Sequence, residues 1–332
     1  MEKPTIAITM GDPAGIGPEL IVKVLADKTV YEKCRPFIIG DAAVLRDICR
    51  VVGAELTFST IENLAEARFS PPEIDVLHPA GLQLEQVTWG KLAPEMGEAV
   101  AECLRTAFEL ALAGEIQGIV SAPLNKEAFH LAGYDYRDEL AFFADITGSA
   151  DTFMMGVVEP IWTVSATEHI AFKDIVALIK KDRILWYAGQ MHQVLTRVGF
   201  NDPRIAVAAL NPHAGEGGLF GREEIDEIEP AVREAQARGL KVEGPVPADM
   251  VFVRALAGDF DGVVCLYHDQ ANIARKLQPK ETGATLHMGL PVICTTTAHG
   301  TAFDKAGQGI CDPGSLAAAL NYAIRLSVRP KD

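Results

Sequence analysis

Three of the eight histidines share one context. Trp162-Thr163-Val164-Ser165-Ala166-Thr167-Glu168-His169 is an apolar, β-rich run that ends at a histidine. Ile205-Ala206-Val207-Ala208-Ala209-Leu210-Asn211-Pro212-His213 is a second, and Gly262-Val263-Val264-Cys265-Leu266-Tyr267-His268 is a third. Strands that each deliver a histidine just past the carboxyl end can set three neutral imidazoles around one point. Three such ligands with an open fourth position make a catalytic site for zinc or a similar divalent ion. Any one of these histidines alone reads as a turn residue bonded to nearby backbone; the repetition favours the metal. No H-E-x-x-H motif is present. Asp269, beside His268, and Asp249, in Pro247-Ala248-Asp249-Met250, are candidate proton acceptors or polar partners of such an ion. Asp249 also reads as a helix cap. Of Arg275 and Lys276, one is expected to face solvent and the other to reach an anionic group, and Lys126 has a weaker claim of the same kind. His78, His130, His192 and His287 lack this setting, and His192 lies in a helical pattern as a structural residue.

Two glycine-rich loops accompany the histidines. "NPHAGEGGLFGREE" (Asn211–Glu224) carries four glycines around His213 and then opens a helix. Glycine lets backbone approach a ligand, and a helix N-terminus favours an anion; a long turn needing positive φ accounts for the same residues. "AHGTAFDKAGQG" (Ala298–Gly309) is a similar loop after a strand. An earlier turn, "MGDPAGIGPE" (Met10–Glu19), also follows a strand, but its glycines fall as G-x-x-x-G-x-G. That is neither the dinucleotide fingerprint nor a P-loop. Pro18 fits the first turn of the helix that follows.

The elements that must position these residues alternate. Strands are expected at Ile6–Met10, Pro36–Ile39, Gly118–Ser121, Phe153–Val158, Trp162–Ser165, Arg204–Leu210, Gly262–Leu266 and Val292–Thr295. Helical periodicity covers Met96–Leu112, Ile175–Val198, Arg222–Arg238 and Leu316–Leu326. The pattern predicts an α/β fold with a largely parallel sheet, helices on both faces and ligands outside the carboxyl ends of the strands. No linker or repeat separates beads on a string, so two interlocked lobes are expected.

The 332 residues are 48% hydrophobic and 23% charged, with 30 Lys and Arg against 45 Asp and Glu, a net charge of −15. This balance excludes binding to nucleic acid through a basic surface. An anionic substrate then needs local positive charge or a metal. Cys34, Cys49, Cys103, Cys265, Cys294 and Cys311 are scattered without a C-x-x-C pair, no apolar run is long enough to span a bilayer, and no signal peptide is apparent. A reduced, cytoplasmic enzyme with no membrane partner is the expectation.

In chain order, "TMGDPAGIGPE", "SAPLNKEA", "TEH", "LNPHAGEGGLFGREE", "GPVPADMVF", "YHDQ" and "AHGTAFDKAG" resemble the motifs of the 4-hydroxythreonine-4-phosphate dehydrogenase (PdxA) family across nearly the whole chain. "GDPAGIGPE" and "HGTAFDKAG" also look like loops of isocitrate and isopropylmalate dehydrogenases. The resemblance implies a two-lobed α/β/α fold with its active site in the interlobe cleft. Residues 1–130 plus 290–332 would form the lobe with the cofactor loop, and 131–289 the lobe with metal ligands and dimer contacts. It implies NAD held by His299, Gly300, Thr301, Ala302, Asp304 and Gly307, and one divalent metal per subunit on His169, His213 and His268. Zinc comes first, with magnesium, cobalt, manganese or nickel as alternatives. It also implies a homodimer with shared sites and a substrate-binding role for Lys276.

Four positions depart from the family pattern. Arg137 and Asp138 stand where the family has a substrate-contacting His-Thr pair, and Thr285 and Cys294 align with a substrate-contacting Asn and Arg. Ala271 and Ala298 replace a Gly and an Asp. Arg137, Asp138, Lys276 and Thr285 are therefore the expected substrate contacts, and Lys276, Asp249 and Asp269 the expected catalytic groups. The expected reaction is metal-dependent, NAD-linked oxidation and decarboxylation of a 4-phosphorylated 3-hydroxy acid. The substrates considered are 4-phospho-D-threonate, 4-phospho-D-erythronate and 4-phosphohydroxy-L-threonine, with a paralogue of the sugar-acid type first. An NAD-dependent cis-dihydrodiol carboxylate dehydrogenase, with Arg137 gripping a carboxylate, is one alternative. A non-catalytic binding or regulatory homologue is the other.

Overall fold

A computed structural model describes residues 3–278 and 283–328. Its strands in chain order are β1 (Thr5–Thr9), β2 (Arg35–Ile39), β3 (Thr57–Ile61), β4 (Glu73–Leu77), β5 (Gly118–Ser121), β6 (Phe153–Val158), β7 (Ile161–Ser165), β8 (Arg204–Ala208), β9 (Lys241–Val246), β10 (Gly262–Cys265), β11 (Gly283–Met288) and β12 (Cys294–Thr297). Helices fill most of the intervals, as an α/β fold requires. The chain divides into two compact units, Met1–Phe153 with Glu281–Val328, and Met154–Lys280.

In the first unit the strands run β3-β4-β2-β1-β5-β12-β11. Neighbours are parallel except β11 and β12, which pair antiparallel with His287 opposite Cys294. Strand β1 is buried at every position, so it reads as a continuous run rather than an alternation, as a parallel strand covered on both faces should. The helix Pro94–Leu112 covers one face through Ala99, Val100, Cys103, Leu104 and Phe108. Phe142 and Phe143, from the helix Glu139–Thr147, enter the same apolar cluster, and Phe108 and Phe143 lie 4.8 Å apart between ring centroids. That packing puts the stretch after 131 in the first unit, so the division differs from the expected 1–130 plus 290–332 and 131–289.

The second unit orders its strands β6-β7-β10-β8-β9. Strands β7, β10, β8 and β9 are mutually parallel, and β6 pairs antiparallel with β7. Two expected helices are interrupted. Ile179 is extended (φ −75°, ψ 100°), which splits 175–198 into Ile175–Leu178 and Lys181–Arg197. The pattern over 222–238 opens as a π turn, Glu224–Ile228, before the α-helix Glu229–Ala237. Pro230 has no N–H to bond the carbonyl four residues earlier, so the wider turn forms there.

Candidate functional site

Strands β7, β10 and β8 lie side by side and parallel, and each is followed by one of the three histidines. His169 comes after β7, His268 opens the helix His268–Lys276 after β10, and His213 follows β8. The segments after β7 and β10 are tied together. The amides of Ala166 and Thr167 donate to the carbonyls of Cys265 and Leu266 at 2.8 and 3.1 Å. The Thr167 hydroxyl adds a bond to the Leu266 carbonyl at 2.7 Å. The His169 and His268 rings consequently sit 5.5 Å apart, tilted by 45°.

Glu168 joins them. Its carboxylate and the two imidazoles offer ligand atoms that all lie within 4.8 Å of one another. Burial pushes the Glu168 carboxyl up, opposed by the Ser165 hydroxyl, by both histidines and by Arg275. Asp269 holds His268 Nδ1 at 2.7 Å from its Oδ1, which leaves His268 Nε2 as the nitrogen open to a ligand. Two imidazoles and a carboxylate are a donor set suited to zinc or another divalent first-row ion.

Among the described residues, His213 is outside this group. Its side chain is 75% exposed and lies 3.7 Å from Glu216. It starts a run of left-handed backbone over His213, Ala214, Gly215, Glu216 and Gly217, with φ between 45° and 77°. Left-handed conformations cost non-glycine residues of order 1 kcal/mol each, so something must hold the loop. Buried Glu224 does. Its Oε1 accepts from the amides of Leu210 and Asn211 at 2.9 and 2.7 Å, and its Oε2 from the Asn211 side chain at 2.8 Å. Sequence reasoning passed over Glu224, although "GREE" after a glycine-rich loop was the available signal. Asp249 is exposed in the first turn of the helix Ala248–Leu256. Lys276 is the exposed member of the basic pair, while Arg275 is largely buried and donates to Asn272 Oδ1 at 2.7 Å.

The early glycine turn in the first unit has a packing role. Gly15 sits against Thr301, where an added Cβ would lie 3.0 Å from the Thr301 Cβ. The Ile16 amide donates to the Thr301 carbonyl at 3.1 Å. Glu19, fully buried, accepts from the amides of Gly309 and Cys311 at 3.1 and 2.7 Å and from Lys23 at 2.8 Å. The motif "MGDPAGIGPE" therefore scaffolds the loop His299–Gly307. In that loop His299, Gly300 and Asp304 are exposed, Thr301 is buried, Ala302 has φ 39°, and Gly307 lies under the Trp89 ring.

The profile of the family described as "Pyridoxal phosphate biosynthetic protein PdxA" matches residues 32–323. The chain belongs to the PdxA family. It is 43% identical to a D-threonate 4-phosphate dehydrogenase of Cupriavidus necator, over 98% of each chain. It is also 43% identical to a 4-hydroxythreonine-4-phosphate dehydrogenase of Desulfosudis oleivorans, over 97% of this chain and 96% of the relative. The crystal structure of a 4-hydroxythreonine-4-phosphate dehydrogenase from Burkholderia phymatum matches with a TM-score of 0.83 at 41% identity, covering 99% of this chain and 100% of that one. The chain is accordingly an oxidoreductase of the dehydrogenase type.

Within this PdxA-family chain Arg137 and Asp138 lie at one helix start, and Glu139 beside them meets His287 on the strand that carries Thr285 and pairs with Cys294. Asp138 caps the helix Glu139–Thr147 through the Ala141 amide at 2.9 Å and holds Arg137 Nε at 2.9 Å. Glu139 lies 3.0 Å from His287 Nε2, close enough to pair but without hydrogen-bond alignment. Cys294 is buried opposite His287, its thiol pushed well up by burial and by the Glu139 charge. Thr285 is partly buried on β11. The Glu139–His287 pair is a second polar feature that the sequence did not disclose. Among the described residues no helix is long and apolar enough to cross a membrane.

Proposed function

We propose that the chain oxidises the 3-hydroxyl of a 4-phosphorylated hydroxy acid with NAD and releases the carboxylate as CO2. The convergence of His169 and His268 from adjacent parallel strands is the observation that carries this reading. Relatives named for phosphorylated threonate and hydroxythreonine support it.

A divalent ion would be held by His169 and His268; His213, which lies outside their group in this structure, is the third imidazole that the family pattern implies. When bound it supplies Lewis-acid polarisation of the substrate hydroxyl oxygen. The loop His299–Gly307 would hold NAD, whose nicotinamide would supply the hydride acceptor.

The chain's own residues do the rest. Asp269 fixes the His268 tautomer. Asp249 and Asp269 are the candidate acceptors for the hydroxyl proton. The 3-keto acid then loses CO2 as the C–C bonding electrons pass to the neighbouring carbonyl, and the Lys276 ammonium stabilises negative charge developing on that oxygen. Arg137, Asp138 and Thr285 select the substrate. The motif Gly11–Gly17 supports the cofactor loop and does not hold pyrophosphate.

A homodimer is part of the proposal. Phe172, Leu219, Val253, Ile273 and Leu277 are large apolar side chains at least half exposed on the second unit, and a second copy would cover them. The six cysteines are free thiols, which supports a reducing, cytoplasmic setting.

The test is NADH formation over a substrate panel. 4-Phospho-D-threonate or 4-phospho-D-erythronate should be turned over markedly faster than 4-phosphohydroxy-L-threonine. The reverse order would reject the choice of substrate, and turnover of dihydrodiol carboxylates alone would favour the alternative.

A further inference from the structure

We propose that Glu168 is itself a metal ligand, so that this chain binds its ion with a carboxylate beside His169 and His268. The inference rests on the metal reading above and adds a donor to it.

Three observations converge on Glu168. The first is distance. Ligands of one zinc or similar ion, at bond lengths of about 2.0–2.2 Å, lie no more than about 4.4 Å apart, and the three side chains already present their donors within 4.8 Å. Small side-chain rotations close that gap.

The second is backbone shape. In a strand, consecutive side chains point to opposite faces, so Glu168 and His169 would not share a ligand. Here β7 has ended, and the Ile170 amide turns back to the Glu168 carbonyl at 2.6 Å. The bend lets adjacent residues converge. The bonds from Ala166 and Thr167 to Cys265 and Leu266 keep this bend beside His268.

The third is charge. Glu168 is partly buried beside the two imidazole rings. Arg275, whose charge its carboxylate feels, makes its one described side-chain hydrogen bond to Asn272, and its Nε is buried without a hydrogen-bond partner. Its guanidinium packs so closely on Gly156 that an added Cβ there would lie 1.3 Å from Nη1. Arg275 is thus wedged against β6 rather than paired with Glu168. The Ser165 hydroxyl bonds the carboxylate but carries no charge; a cation held at the histidines would give the carboxylate an ionic partner.

A carboxylate donor adds one negative charge and a hard oxygen, which offsets the charge of a dication and widens tolerance toward oxygen-preferring ions.

The experiment titrates chelator-stripped protein with Co(II), read by calorimetry and by the visible ligand-field spectrum, with metal-induced thermal shift as an independent measure. Wild type should bind about one ion per subunit. E168Q should bind at least tenfold more weakly with a changed spectrum, the scale seen even for outer-shell losses, and E168H should recover much of the affinity. E168Q with wild-type affinity and spectrum overturns the proposal. So does an E168H variant as weak as E168Q, since a carboxylate serving only its protein neighbours would not be replaced by imidazole. Wild-type protein that binds no Co(II), Zn(II) or Mn(II) overturns the underlying metal reading instead.

Discussion

The hydroxyl of Thr167 donates to the carbonyl of Leu266 at 2.7 Å. This bond joins the segment leading to His169 with the segment leading to His268. Thr167→Val keeps the shape and the amide bond to Leu266 but removes the hydroxyl bond, which costs about 0.5–1.5 kcal/mol. Loosening the histidine spacing should also weaken Co(II) binding about tenfold or more. Chemical denaturation and metal titration measure both effects, and unchanged metal affinity would show that the tie is not needed to hold the site.

The cofactor loop permits a test that separates stability from binding. Asp304 is exposed, so Asp304→Ala should leave the melting temperature alone while raising KM for NAD severalfold more than KM for substrate. Gly307 has φ 75°, and a Cβ there would lie 1.9 Å from Trp89 Cε3. Gly307→Ala should therefore lose about 1–3 kcal/mol of stability through overpacking as well as NAD affinity. Equal KM values for NAD in Asp304→Ala and wild type would remove that residue from the cofactor site.

Asp12 predicts a pH dependence. Burial lifts its carboxyl from 3.8 to about 6, against the pull of the Ala14 amide, and its Oδ2 is buried without a partner. Between those pH values the native state holds a proton that the unfolded chain has released. Stability from this group is therefore full below about pH 4 and declines as pH rises through about 6, by roughly 3 kcal/mol. Asp12→Asn should flatten the denaturation free energy across that window. An unaltered pH profile in the variant would place the dependence elsewhere.

Gly156 and Arg275 should behave as a coupled pair. Gly156→Ala forces the guanidinium off β6 and should cost about 1–3 kcal/mol. Arg275→Met in the same chain should recover part of it, a non-additivity expected only of touching residues. Additive losses in the double variant would mean that the two do not share this space.

Much of this was legible in the sequence where burial imposes a pattern. The continuous apolar runs of β1, β5, β7, β8 and β10 are parallel strands covered on both sides, and the ends of β7, β8 and β10 each pointed to a histidine. Strand β3, "TFSTI", is a half-exposed edge with polar residues, and β9, "KVEGPV", contains a Gly-Pro break, so neither carries that signal. The site was less legible where it depends on tertiary contacts. Glu224 earns its place by reaching back thirteen residues to the Asn211 amide, and Glu139 meets His287 across more than a hundred residues. Glu168 stood beside His169 in plain view, but the usual alternation of a strand gave no reason to place both on one ligand. His213 was expected with the other two histidines, and its left-handed loop leaves it exposed and outside their group.

The most direct measurement follows 4-phospho-D-threonate labelled at its carboxyl carbon, with NAD and a divalent ion, by simultaneous detection of NADH and labelled CO2. The account predicts equal yields of NADH and CO2, a phosphorylated three-carbon ketone as the other product, and loss of all three in His268→Ala. NADH without labelled CO2, or full turnover in His268→Ala, would contradict it.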